Sequence, residues 1–201
     1  MNLPNKLTIL RMIMIPFVLL FMLPIPFMKD TFAGWNTFIA DWGMFVAMII
    51  FSLASLTDML DGRIARSRNI VTNLGKFLDP IADKMLVISV LIALVQTGRV
   101  HAIFTIIIIM REFMVTGIRL LASDHGVVIA ASNIGKAKTV TQMIAIIWLM
   151  LEQVLIKLTA SLDGAAAVIT WIGNVALLIA VVMTLVSGWD YLKKNLSFLK
   201  S

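Results

Sequence analysis

Thr57-Asp58-Met59-Leu60-Asp61-Gly62-Arg63-Ile64-Ala65-Arg66 ends the apolar run Trp35–Thr57, and the next run, Phe77–Val95, opens through Gly75, Asp79 and Asp83. Asp58 and Asp61 are three residues apart at the end of one run, and Asp79 and Asp83 four apart at the start of the next. At 3.6 residues per helical turn, each pair shares a helix face. If the two faces meet, four carboxylates converge where two apolar helices reach one side of a membrane.

Such a cluster needs compensation, because ionised carboxylates beside hydrocarbon repel one another and lose hydration. Divalent cations would supply it. An oxygen-only donor set with no His or Cys nearby favours Mg²⁺, or Mn²⁺, over zinc or copper, and four carboxylates formally balance two such ions. Paired ions about 3.5–4 Å apart suit phosphoryl displacement. Taken singly, each acid reads equally well as an interfacial partner of Arg63, Arg66, Lys76 or Lys84. Two face-sharing pairs favour the metal reading. Asp79-Pro80 also suits a helix N-terminus, Gly62 a helix end and Gly75 a helix start.

Outward from this seam the chain is a series of apolar segments, Thr8–Phe27, Trp35–Thr57, Phe77–Val95, Ala102–Ala122, Val140–Ile156 and Ala165–Ser187. Of 201 residues, 60% are hydrophobic and 14% charged, against about 45–50% and 25% in soluble domains. The expected fold is an all-α integral membrane protein, one domain over residues 1–201, with a six-transmembrane-helix bundle. Pro24, Pro26 and Asp30 are expected to close the first helix, Gly98 the third, and Asp163-Gly164 to separate the fifth from the sixth. Lys6 precedes the first run and Arg11 lies near its start, but no small-residue cleavage pattern follows, so it is expected to stay as the first helix.

An even number of spans puts both termini on one side, with the 61–76 and 123–139 connections. Lys84 and Arg111 lie within apolar segments. Of the other cations, that side holds Lys6, Arg11, Arg63, Arg66, Arg68, Lys76, Arg119, Lys136, Lys138, Lys193, Lys194 and Lys200, and the opposite side Lys29, Arg99 and Lys157. Twelve, three and the two set aside make the 17 Lys and Arg of the chain, and the positive-inside rule makes both termini cytoplasmic. The net charge of +6 is spread among apolar segments, which points to anionic lipid headgroups and away from nucleic acid. The absence of cysteine excludes disulfides, thiolate nucleophiles and zinc-thiolate sites. The 14 methionines and five tryptophans need no cofactor role.

The spacing Asp58-x2-Asp61-Gly62-x2-Ala65-Arg66-x8-Gly75-x3-Asp79-x3-Asp83 resembles the full motif of the CDP-alcohol phosphotransferase family, matching at every fixed position. The resemblance implies that Asp58, Asp61 and Asp79 bind the metals and that Asp83 both contacts metal and serves as the base. It places Asp61, Gly62, Ala65, Arg66 and Gly75 at the CDP-lipid. Small residues leave room for a cytidine, and an arginine pairs with phosphate. Asn5 and Thr8, with Arg11, form a further polar group suited either to the nucleotide or to interfacial anchoring. The family also implies a homodimer and an active site facing the cytoplasm of a bacterial cell membrane.

The acceptor alcohol rests on other residues. Arg111-Glu112-Phe113-x2-Thr116-Gly117-Ile118-Arg119 and Gly135-Lys136-x-Lys138-Thr139-x2-Gln142 are similar to stretches of the bacterial phosphatidylglycerophosphate synthase subfamily, as is Pro4-Asn5-x-Leu7-Thr8-x2-Arg11. Arg111, Arg119, Lys136 and Lys138 would form a basic pocket for a phosphorylated acceptor, although Glu112 could instead neutralise an arginine structurally. The resemblance thus implies transfer of a phosphatidyl group from CDP-diacylglycerol to glycerol 3-phosphate. An inositol-phosphate acceptor would need a similar pocket. A small metal- or proton-coupled transporter is the rival of a different class, disfavoured by acids clustered at one edge.

Overall fold

The computed structural model describes residues 3–25, 31–68, 73–124, 127, 129 and 132–195; for residues 3–8, 57–68, 73–80, 83 and 124 it describes the backbone alone. The described residues form helices and connecting turns, with no strand among them. In chain order they are α1 (Leu3–Met22), α2 (Ala33–Phe38), a π-helical turn (Ile39–Gly43), α3 (Met44–Arg68), α4 (Asn73–Gln96), α5 (Ala102–Asp124), α6 (Asn133–Leu158) and α7 (Ala165–Lys194). Among the described residues three stretches, 33–56, 133–158 and 165–194, are long and apolar enough to cross a membrane, and Ile9–Met22 and Lys84–Gln96 are shorter apolar helices. In α5 the apolar run is broken by Arg111, Glu112 and Arg119.

The principal helix contacts close a ring: α1 lies between α3 and α4, α3 meets α6, α6 meets α7, α7 meets α5, and α5 returns to α4. One half of this ring is filled by a single core that includes Val18, Phe51, Val90, Leu91, Ile108, Leu149, Met150 and Leu177. The core residues come late in α1, early in α3, late in α4 and early in α5. Successive helices therefore run in opposite directions, and Arg11, Ser55, Lys84, Glu112 and Lys138 fall at the other end of the ring.

The sequence segments and the helices differ in a consistent way. The connection expected over 61–76 is helical as far as Arg68 and again from Asn73, α6 begins before Val140, and α7 runs past Ser187 to Lys194. An apolar run marks what sits in hydrocarbon. The helix itself continues into the interface because intrahelical bonding still satisfies its backbone. Ser132 caps α6, its Oγ accepting from the Gly135 N–H at 3.0 Å. Gly62 lies inside α3, and Pro80 lies beyond the first turn of α4, so neither marks a helix boundary. Gly98 and Gly164 do mark turns, with φ of 74° and 80°, values that favour glycine. The first helix ends at Met22, ahead of Pro24. Beyond it the Asn36 side chain takes the Ile25 N–H at 2.9 Å and donates to the Ile25 carbonyl at 3.3 Å.

The π-helical turn was not legible in the apolar pattern. A Cβ at Gly43 would stand 2.3 Å from the Phe21 carbonyl oxygen, so glycine is what lets α1 approach this turn. Side chains of α6 bind its carbonyls: Gln153 Nε2 donates to Ala40 at 2.7 Å and Lys157 Nζ to Asp41 at 3.3 Å, while Lys157 also pairs with the Asp41 carboxylate at 2.6 Å.

Candidate active site

At the polar end of the ring, adjoining the core at Leu86, a cleft of about 490 Å³ opens between α1, α3, α4, α5 and α6. Its lining has two characters. Arg11, Ser52, Ser55, Lys84, Glu112, Lys138 and Gln142 are polar, whereas Leu56, Val87, Val140, Met143, Ile144 and Ile147 are apolar. Arg11, Lys138 and Gln142 are buried at 4%, 3% and 4% exposure, which is tolerable for charged groups only with partners or polar ligands at hand.

Those partners include one another. Lys138 of α6 forms an ion pair with Glu112 Oε1 of α5, and Arg111 Nη1 donates to the same oxygen at 3.1 Å. Lys84 of α4 donates to Thr116 Oγ1, which donates in turn to the Glu112 backbone carbonyl at 2.7 Å. Three helices are thus tied at the level of one carboxylate. Arg111 turns its other terminal nitrogen to α7, Nη2 donating to Ser187 Oγ at 2.6 Å. Arg119 is exposed, its guanidinium 5.7 Å from the centroid of the Tyr191 ring, and Lys136 is exposed near the start of α6. Of the four expected acceptor cations, Arg111 and Lys138 meet at Glu112, while Arg119 and Lys136 stand further toward the helix ends.

The acidic motif is placed at the level of backbone. Asp58, Asp61, Gly62, Ala65 and Arg66 lie on the last turns of α3, and Gly75, Asp79 and Asp83 on the first turns of α4. Their side chains, like those of Asn5 and Thr8 on α1, lie outside the described residues. Among the described residues no group of three or more His, Cys, Asp or Glu could hold a metal. The four carboxylates nevertheless fit divalent ions: their donors are all oxygen, and the cleft is walled by Ser55 and Leu56, just before Asp58, and by Lys84, just after Asp83.

Several polar contributors were not anticipated as site residues. Ser187 and Tyr191 sit at the end of α7, where the sequence offers only the chain's single Tyr after an apolar run. Glu152 belongs to the opposite end of the bundle. It is 2% exposed, pairs with Arg99 at 2.5 Å and accepts from Thr170 Oγ1 at 2.7 Å.

A helical membrane bundle with an amphipathic cleft, in a chain that carries the four-acid motif, defines the class, and the family described as CDP-alcohol phosphatidyltransferase matches residues 1–186. The chain belongs to that family of transferases. It is 43% identical over 205 residues to the CDP-diacylglycerol–glycerol-3-phosphate 3-phosphatidyltransferase of Bacillus subtilis (strain 168), covering 100% of this chain and 98% of that protein. It is 36% identical over 193 residues to the protein of the same name from Rickettsia bellii (strain RML369-C), covering 96% and 94%.

Proposed function

We propose that this chain transfers the phosphatidyl group of CDP-diacylglycerol to glycerol 3-phosphate and releases CMP, a step in making phosphatidylglycerol and other anionic phospholipids. The observation that carries this reading is the cleft, whose cationic and hydroxylic end suits phosphates and whose apolar wall suits acyl chains. Full-length similarity to relatives named for this reaction supports the choice of alcohol.

Asp58, Asp61, Asp79 and Asp83 would hold two divalent cations, Mg²⁺ or Mn²⁺, which when bound neutralise charge and align the phosphates. Asp61, Gly62, Ala65, Arg66 and Gly75, with Asn5 and Thr8 of α1, receive the cytidine and its phosphates. Arg111, Arg119, Lys136 and Lys138 take the acceptor phosphate. Asp83 accepts the proton of the acceptor hydroxyl. The hydroxyl oxygen then bonds to the phosphatidyl phosphorus as the bond from that phosphorus to the CMP oxygen breaks, and CMP leaves with the electron pair. Holding both substrates in line is most of what a protein contributes to phosphoryl transfer.

In this reading residues 1–201 act as one domain with six spans: α1, α2 with α3, α4, α5, α6 and α7. Both termini and the cleft face the cytoplasm of a bacterial membrane, and the protein works as a homodimer among membrane lipids. The alternating helix directions and the cations at the cleft end support that orientation. The test is CMP release by purified protein with CDP-diacylglycerol and a panel of glycerol 3-phosphate, inositol phosphate and serine. Turnover should be greatest with glycerol 3-phosphate. Preference for another acceptor would overturn the choice of alcohol, and transport across liposomes without CMP release would overturn the enzyme.

A further inference from the structure

The family match ends at residue 186, and the helix that carries it does not: α7 continues to Lys194. Just past that point Ser187, Gly188 and Tyr191 meet α5. Ser187, 1% exposed, accepts from Arg111 Nη2 at 2.6 Å. Gly188 faces the stem of the same arginine, where an added Cβ would lie 3.2 Å from Arg111 Cγ and 3.4 Å from Met114 Cε. Tyr191, 5% exposed, packs against Val115 and Ile118 and offers its ring to Arg119. Its hydroxyl is buried and makes no hydrogen bond among the described residues, so the ring is what engages α5.

The two helices run in the same direction, the earlier residue of α5 meeting the earlier of α7. Arg111 and Arg119 are separated by a rise of about 12 Å, Ser187 and Tyr191 by about 6 Å. Helical side chains lean toward the N-terminus, and the long Arg119 side chain covers the difference by reaching back over the tyrosine.

We propose that Ser187, Gly188 and Tyr191 form a ledge on α7 that positions Arg111 and Arg119, and so sets the affinity for the phosphorylated acceptor. This deepens the acceptor pocket proposed above and rests on it. Ser187 and Tyr191 are positioning residues, acting through the arginines. Serine fixes the plane of one guanidinium by a charged hydrogen bond. The tyrosine face holds the other by a cation–π contact, the Arg119 guanidinium carbon lying 5.7 Å from the ring centroid.

The test measures initial CMP release by the full chain in detergent, varying glycerol 3-phosphate and CDP-diacylglycerol separately. Tyr191→Leu should raise KM for glycerol 3-phosphate about three- to tenfold, the range expected for a lost cation–π contact. The KM for CDP-diacylglycerol should stay within twofold (about the scatter of such fits). Tyr191→Phe, which keeps the ring, should restore the parent KM, and Ser187→Ala should raise the acceptor KM as Tyr191→Leu does. In an Arg119→Ala background, Tyr191→Leu should add no further effect.

If Arg119→Ala raises the acceptor KM and Tyr191→Leu does not, the ledge is wrong and the pocket stands. If Arg119→Ala itself leaves the acceptor KM unchanged, the pocket reading fails first. Equal rises in both KM values, or no rescue by phenylalanine, would make Tyr191 a packing residue only. Should the leucine variant not fold, as judged by size-exclusion profile, Ser187→Ala in the parent and Arg111→Ala backgrounds decides by the same criteria.

Discussion

Lys138 of α6 and Glu112 of α5 form an ion pair at the polar end of the cleft, the lysine side chain 4% exposed and the carboxylate 15%. Arg111 shares the same oxygen, so one negative charge serves two cations. Glu112→Gln removes that shared charge, and removing one partner of a buried pair costs about 3–5 kcal/mol. We expect a large drop in melting temperature in detergent. Lys138→Ala should be milder, because Glu112 keeps Arg111. Equal melting of Glu112→Gln and the parent would show that the pair contributes nothing.

Asp79→Asn and Asp83→Asn should each abolish transfer while leaving a folded membrane protein, since an amide keeps the size of the side chain but not its charge. Chelation of divalent ions should abolish turnover in the parent, and added Mg²⁺ should restore it. Near-normal turnover of either variant, or of the chelated enzyme, would remove the assigned role.

Arg119→Ala and Lys136→Ala should lower kcat/KM for glycerol 3-phosphate roughly ten- to hundredfold, from about 1.5–3 kcal/mol per charged hydrogen bond. Lysine at Arg119 should rescue only in part, having charge but no planar fork. Kinetics with each substrate varied in turn provide the check. A defect confined to CDP-diacylglycerol would place these cations elsewhere.

Because the chain has no cysteine, single cysteines report sidedness without background. Lys6, Asn69, Asn133 and Lys200 positions should react with a membrane-impermeant thiol reagent from the cytoplasmic side, and Asp30, His101 and Asp163 from outside. Arg99 is a poor site for this purpose, since its pairing with buried Glu152 would be lost. The reverse pattern would invert the proposed topology.

Glu152→Ala breaks the Arg99–Glu152–Thr170 cluster at the end of the bundle remote from the cleft. It should cost about 3–5 kcal/mol through the unpaired arginine and an opened cavity. Both KM values should stay at those of the parent. Thermal melting and acceptor kinetics on the same preparation separate stability from binding, and a shifted acceptor KM would mean that the two ends are coupled.

The all-helical class and the positions of the apolar segments were legible in the sequence, because each depends on which residues a single helix carries. The acidic motif was legible for a related reason, since spacings of three and four on one helix are local facts. Helix ends were less so. Arg68, Asn133 and Lys194 lie beyond the apolar runs, where hydropathy no longer marks a backbone that still bonds to itself.

Tertiary structure alone decided which charges share a partner. Arg111 reaches Ser187 across 76 residues and Lys138 reaches Glu112 across 26, distances over which no periodicity in the chain carries information. Glu112 could have been read as a neutraliser or as part of a pocket, and it sits in both positions because α4, α5 and α6 converge on it. The pairing follows from ring closure: once apolar faces are buried at one end of the bundle, polar side chains at the other must find their hydrogen bonds among whichever helices packing has made neighbours.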